Sequence, residues 1–422
     1  MGVYTVKRGD TLWGISQTFR LPIQTIRKIN GLPGDSLVPG LALYLPQNEL
    51  PEQFYQIQPG DTLWSIANRY RTRTNLIAAA NPGTNPNQLT VGQRLSVPTP
   101  LKYSMESLGF LIPEEMDILH PIFPEVARQL SYTAIFSYTI NADGTVNEPD
   151  DERAIRESKQ NGVKPLMVLT NWTGSGFDPV RIGQVLQNPD TRRTLVRNIS
   201  RAVQQKGYNG ISVDFEFIPP ERRPELSTFL RELKAAPGTG TLHINVPAKT
   251  KDDPANRLTG AFDYKTIGQI ADLVAVMTIE YGYPQGPPNP IAPIWWVEQV
   301  VQYIVSQINR SKVMIALPFY GYNWPLPDTP ATTASALAAG DAQNLAISKR
   351  VSIQYNWQAE APFFQYTQGT QARIVWFEDV RSLRAKYRIM EVYRLRGATF
   401  WHLNYPFPQN WSYMQKNFRV IK

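Results

Sequence analysis

The chain has 422 residues, too many for one ordinary core, so two or more domains are expected. Its 42% hydrophobic and 18% charged residues describe a globular protein, and the absence of cysteine excludes disulfides, thiol nucleophiles and Cys-ligated zinc. Net charge is +8, which favours polyanions, but the basic residues form no tract, so nucleic acid is not an expected partner.

The N-terminal MGVYTVKRGD lacks the apolar stretch of a secretory signal, and no apolar run reaches the roughly 18 residues of a membrane helix. Membrane insertion is not expected, and any route out of the cell would have to work without such a signal. An internal repeat follows. VKRGDTLWGISQTF starts at Val6 and IQPGDTLWSIANRY at Ile57, so Gly9 aligns with Gly60 and Asn30 with Asn81. Each copy predicts a short strand (Tyr4–Val6; Tyr55–Ile57), a Gly-Asp turn, and a helix from Thr11 or Thr62 that Asp10 or Asp61 can cap. Leu12, Ile15, Ser16 and Phe19 recur at helical spacing, as do Leu63, Ile66, Ala67 and Tyr70. A second helix running to Asn30 or Asn81 and a strand closing at Pro46 or Pro98 complete a βααβ unit.

These copies resemble LysM modules in GDTLW, the Asn and the closing LYLP or LSVP. The resemblance implies binding to N-acetylglucosamine-containing glycan, peptidoglycan or chitin. It places the contacts at Gly9, Asp10, Thr11 and Leu12 with the loop Leu32–Gly34, and at Gly60, Asp61, Thr62 and Leu63 with Gly83–Asn85. The expected units are 1–47 and 52–99, joined by the linker Gln47–Tyr55, and a third unit over 103–422.

In that third unit strands alternate with amphipathic stretches such as Asp190–Lys206 and Arg223–Lys234. Predicted strands are Ser107–Ile112, Ala134–Ile140, Pro165–Thr170, Gly210–Glu216, His243–Pro247, Leu273–Thr278, Lys312–Pro318 and Ala398–His402. Eight strands in βα alternation predict an α/β fold, a (β/α)8 TIM barrel, with an open α/β sheet as the alternative. Arg373–Phe377 reads as an extra strand in a long insertion between the last two. GSGF at Gly174 lacks the rest of a dinucleotide fingerprint and reads as a loop. The three histidines, His120, His243 and His402, lie far apart, so neither a metal nor a cofactor is expected.

NGISVDFEFIPP, residues 209–220, carries the chemistry. Asp214 and Glu216 are two apart and share one face of a strand. Two acids there can pair with basic groups, or, at the C-terminal end of a barrel strand, tune each other in an active site. NGISVDFE resembles the DGxDxDxE motif of glycoside hydrolase family 18. LHINVPAKT, GAFDYKTIGQIADLVAVMT, YGYPQGPPNPIAPI, IALPFYGYNWPLP and GATFWHLNYPFPQNW extend the likeness to its branch of spore-germination and spore-coat hydrolases.

That resemblance implies a substrate-assisted retaining glycosidase, an exception to the two-carboxylate scheme. Glu216 would be the acid and base, Asp214 the partner of the substrate acetamide, and Trp401 the floor under the cleaved sugar. Ser212 stands where the family has an aspartate, with a hydrogen bond to Asp214 expected. Ile279 in MTIE stands where the family has a tyrosine that donates to the acetamide carbonyl; Tyr281, Tyr320 or Tyr322 would have to supply that bond, or catalysis is weakened. Glu280 is expected in the same site, and Asn323 and Trp324 along the groove. The implied activity is hydrolysis after N-acetylglucosamine in peptidoglycan, of spore cortex or its fragments, in the spore coat and cortex region or cell wall. A silent glycan-binding protein and a chitinase are the alternatives.

Overall fold

The structure is a computed structural model describing residues 2–46, 49–327 and 333–422. Met1 and the linker residues Gln47 and Asn48 lie outside the described residues.

Eight parallel strands form the centre: β1 Tyr103–Leu111, β2 Tyr132–Ile140, β3 Lys164–Thr170, β4 Gly210–Asp214, β5 Thr241–Pro247, β6 Leu273–Met277, β7 Val313–Pro318 and β8 Gly397–Trp401. Each pairs with the next, and β1 pairs with both β2 and β8, so the sheet closes. The open-sheet alternative is thereby excluded, and all eight predicted strands are barrel strands. Alternation sorts side chains to two cores. Leu108, Phe110, Ala134, Leu166, Val168, Ala275 and Met314 fill the interior. Ile211, Val213 and Phe215 face outward with Leu226, Phe229 and Leu230 of the helix Arg223–Ala235, in the core between barrel and helices.

Between β7 and β8 lies more than the one predicted strand. Gln371–Trp376 belongs to a five-stranded antiparallel sheet with Ser335–Ala338, Tyr320–Leu326, Ala361–Gln368 and Gln354–Asn356, and the helix Ala339–Lys349 accompanies it.

Each N-terminal repeat is a βααβ unit. Val3–Thr5 pairs antiparallel with Ala42–Tyr44 around helices Leu12–Phe19 and Ile23–Asn30; Glu52–Gln56 pairs with Arg94–Pro98 around Leu63–Arg69 and Thr74–Ala80. The caps differ from expectation. Thr11 accepts from the Gly14 N–H and Thr62 from the Ser65 N–H, so the threonines cap the first helices. Asp10 and Asp61 sit one residue too early. Asp10 instead accepts from the Lys7 N–H and the Tyr4 hydroxyl, and Asp61 from the Gln58 N–H and the Tyr55 hydroxyl, closing the turn behind the strand. The repeated asparagine is explained: Asn30 exchanges hydrogen bonds with both backbone groups of Tyr44 and donates to the Ile26 carbonyl, and Asn81 does the same with Ser96 and Ile77.

Both repeats pack on the barrel unit. Leu12, Ile15, Ile26, Leu41 and Leu43 share one core with Ala342, Ala346, Ile353 and Phe364 of the insertion. Buried Gln409 donates to Asn30 Oδ1 at 3.0 Å and to the Ala42 carbonyl at 2.9 Å. In the second repeat the Phe54 N–H donates to Glu391 at 2.6 Å, and Glu52 pairs with Arg384.

Candidate active site

β4 ends its ladder at Asp214, opposite Thr170 of β3. Ser212, Asp214 and Glu216 lie on its inner line, because Ile211, Val213 and Phe215 occupy the outer one. Asp214 is buried, and its Oδ1 accepts from Asn245 Nδ2 of β5 at 2.8 Å. Phe217 has φ of 55°, so the chain turns away directly after Glu216. Asn171, next after β3, holds the Glu216 backbone: its Oδ1 accepts from the Glu216 N–H and its Nδ2 donates to the Glu216 carbonyl, both at 2.9 Å.

These surroundings raise both carboxyls. Burial lifts Glu216 most, and the charges of Asp214 and Glu280 lift it further. Burial lifts Asp214 too, while the Asn245 amide favours its ionised form. The pair is thus biased towards a protonated Glu216 beside an ionised Asp214.

The structure brings Tyr320 and Tyr322 to Glu280. Both hydroxyls donate to Glu280 Oε1, Tyr322 at 2.7 Å. Ile279, half-buried, offers no hydroxyl. Tyr281 turns aside, its ring against Trp295 and Trp296 at 5.2 and 5.4 Å. Trp401 ends β8 with its ring edge-on to Phe136 at 5.1 Å and tilted to Phe110 at 5.4 Å, half-exposed above the interior core.

Three expectations are corrected. Ser212 does not bond Asp214; its Oγ pairs with His243 Nδ1 at 2.8 Å, because β5 places that ring directly across from it. Burial lowers His243 to about 3, so this pair is neutral where the family motif has an acid. Asn323 is not in the groove. Tyr320 and Tyr322 share one strand face and Asn323 takes the other, where its amide donates to Tyr366 and accepts from Arg373. Trp324 is fully buried, donating to the Gly286 carbonyl, and is a core residue of the insertion.

Asn171, His243 and Asn245 join the site without having been expected there. Polar residues on every second position of an otherwise apolar strand, as in HINVP, are the pattern that marks two of them. Among the described residues no cluster of His, Asp or Glu is arranged to hold a metal ion.

The family model for glycosyl hydrolases family 18 matches residues 116–405, which span β2 to β8 and hold Asp214, Glu216, Glu280 and Trp401. The chain belongs to glycosyl hydrolase family 18. The LysM domain model matches residues 4–46 and 55–98. Among relatives of this family 18 glycosidase, the cortical fragment-lytic enzyme of Bacillus cereus is 34% identical over 432 residues, covering 100% of this chain and 99% of that protein. The cortical fragment-lytic enzyme of Bacillus subtilis is 34% identical over 429 residues, covering 88% and 99%. The crystal structure of the Bacillus cereus spore cortex-lytic enzyme SleL superposes with a TM-score of 0.86 at 32% identity, covering 100% of this chain and 99% of that one.

Proposed function

We propose that this glycosidase hydrolyses the β-1,4 bond following N-acetylglucosamine in peptidoglycan, of spore cortex or its fragments, by substrate-assisted retaining catalysis. One observation carries the reading: Glu216 and Asp214 stand side by side on the inner line of β4 at the C-terminal mouth of the barrel, in surroundings that favour one proton on Glu216. The relatives' names supply the substrate class, and the LysM modules suit the same glycan.

Glu216 donates its proton to the glycosidic oxygen as that bond to the sugar C1 breaks. The substrate's 2-acetamido carbonyl oxygen forms the new bond to C1, giving an oxazolinium ion. Asp214, held by Asn245, accepts from the acetamido N–H and stabilises the positive charge. Water then attacks C1 as the bond from C1 to the acetamido oxygen breaks and the acetamide is regenerated; Glu216 takes the water's proton, and the anomeric configuration is retained. Trp401 supplies an apolar face beneath the sugar. Glu280, with its Oε1 occupied by two tyrosines, has its other oxygen left for a substrate hydroxyl, while Tyr281 packs on Trp295 and Trp296. No cofactor takes part.

The loops at 9–12 and 60–63 bind further N-acetylglucosamine units, and the chain works in the spore cortex region or cell wall. The units are 1–47, 52–99 and 103–422. Their packing makes the LysM modules fixed extensions of the barrel, so glycan held there is tethered at a fixed position relative to the groove.

The test is product analysis of cortical fragments and of N-acetylglucosamine oligomers after incubation with wild type and Glu216→Gln. New reducing ends on N-acetylglucosamine, lost in the variant, are expected. Binding with equal background turnover by both proteins would support instead the silent binder, the reading that Ile279 favours. Preference for chitin oligomers over cortical fragments would support the chitinase.

A further inference from the structure

We infer that Asn171 is a positioning residue for the acid Glu216; the inference rests on the role proposed for Glu216 above. The β3–β4 ladder ends at the pair Thr170 and Asp214, two residues short of Glu216. Past that point no ladder pairing continues among the described residues, yet the acid has to stand within hydrogen-bond reach of one oxygen of the substrate. Asn171 fills the gap. Its side chain has a planar amide with the donor and acceptor of a peptide group, and it meets Glu216 as a strand neighbour would, accepting from the N–H and donating to the carbonyl, both at 2.9 Å.

The amide is itself fixed. Asn171 is fully buried. Its Nδ2 also donates to the Asp178 carbonyl at 3.1 Å, and its own carbonyl accepts from the Asp178 N–H at 3.0 Å. Asp178 caps the helix Pro179–Gln187 through the Val180 and Arg181 N–H groups, so the loop 171–178 is tied at both ends. The left-handed Phe217 then turns the chain away, and among the described residues the Asn171 side chain is the partner of both Glu216 peptide groups. Asn171 touches no reacting atom; it acts by setting where the Glu216 carboxyl can be.

Steady-state kinetics on cortical fragments test this, with Asn171→Ala and Asn171→Asp compared to wild type and Glu216→Gln. Asn171→Ala is expected to lower kcat by ~10²-fold, the scale of an ångström-sized misplacement, with KM changed by less than about threefold. Asn171→Asp, when protonated, keeps one acceptor and one donor, so its kcat is expected to recover towards wild type as pH falls. That recovery is read even where Asn171→Ala fails to fold. Wild-type kcat in Asn171→Ala, or a loss in Asn171→Asp independent of pH, overturns the inference. Activity remaining in Glu216→Gln would instead overturn the assignment of the acid, and the two failures are separately visible.

Discussion

Asn245 Nδ2 donates to Asp214 Oδ1 at 2.8 Å across the buried β4–β5 seam. It is the hydrogen bond that favours an ionised Asp214 against the pull of burial. It also fixes which oxygen of Asp214 remains for a substrate. Replacing Asn245 by Leu removes the donor at similar volume, so Asp214 should titrate higher still and share the proton meant for Glu216. We expect kcat to fall by roughly 10–10², with the acid limb of the kcat–pH profile displaced to higher pH. A profile unchanged in Asn245→Leu would show that Asn245 does not set the charge on Asp214.

Glu216 is held above the ordinary carboxylate range by burial and by two neighbouring carboxylates. The native state therefore binds the proton more tightly than the unfolded chain does. Below the unfolded value of about 4.3 both states are protonated and the difference vanishes. As pH rises from there towards the folded value, stability is progressively lost. Glu216→Gln removes this penalty. Its thermal midpoint should exceed that of wild type at neutral pH, with ~1.4 kcal/mol recovered for each tenfold difference in proton affinity between folded and unfolded chain. The two proteins should converge near pH 4. A gap that is constant from pH 4 to 8 would contradict the assignment.

The barrel is legible in the sequence because its strands are short apolar runs spaced by amphipathic helices, and β4 because two acids interrupt such a run. The repeats are legible from GDTLW, the repeated asparagine and the closing LYLP or LSVP. The insertion is legible only as one strand, Arg373–Phe377: Ala361–Gln368 and Tyr320–Leu326 mix aromatic and polar residues without clean alternation, since one sheet face packs on the first repeat and the other on Trp324 and Trp376. The partner of Ser212 is hidden because the register of β5 decides it. His243 lies opposite Ser212 in that register, and no local pattern within β4 reveals its neighbour. Asn171 acts on a residue 45 positions away, through the backbone, where side-chain type gives no signal.

Ile279 is the departure with the largest expected effect on rate. Tyr320 and Tyr322 are both committed to Glu280 Oε1, so neither hydroxyl stands free in place of the missing tyrosine. Ile279→Tyr restores a donor at the motif position. If the acetamide carbonyl lacks that bond in this chain, kcat should rise by up to ~10². Tyr320→Phe tests the opposite case, in which the tyrosine turns from Glu280 to the substrate. It should then cost ~10² in kcat and leave Ile279→Tyr partly able to rescue it. Both variants behaving as wild type would mean that the acetamide carbonyl needs no tyrosine here.

Gly40 tests whether the first repeat is a fixed part of the catalytic unit. Its φ is 85°, and a Cβ there would lie 1.7 Å from the Ile353 carbonyl oxygen of the insertion. Backbone meets backbone at this point, so no flexible side chain can yield. Gly40→Ala therefore carries the cost of a left-handed alanine, ~1–2 kcal/mol, plus displacement of the 38–41 loop from the insertion. Leu41 of the shared core ends that loop and Leu43 follows it. We expect a lower first unfolding transition and faster limited proteolysis within the first repeat. Turnover of short N-acetylglucosamine oligomers should remain near wild type, since Asp214, Glu216 and their partners are untouched. Turnover of long glycan should fall, because a repeat released from the barrel no longer holds polymer at a fixed distance from Glu216. Equal losses on short and long substrates would show that Gly40 acts through the fold of the barrel itself.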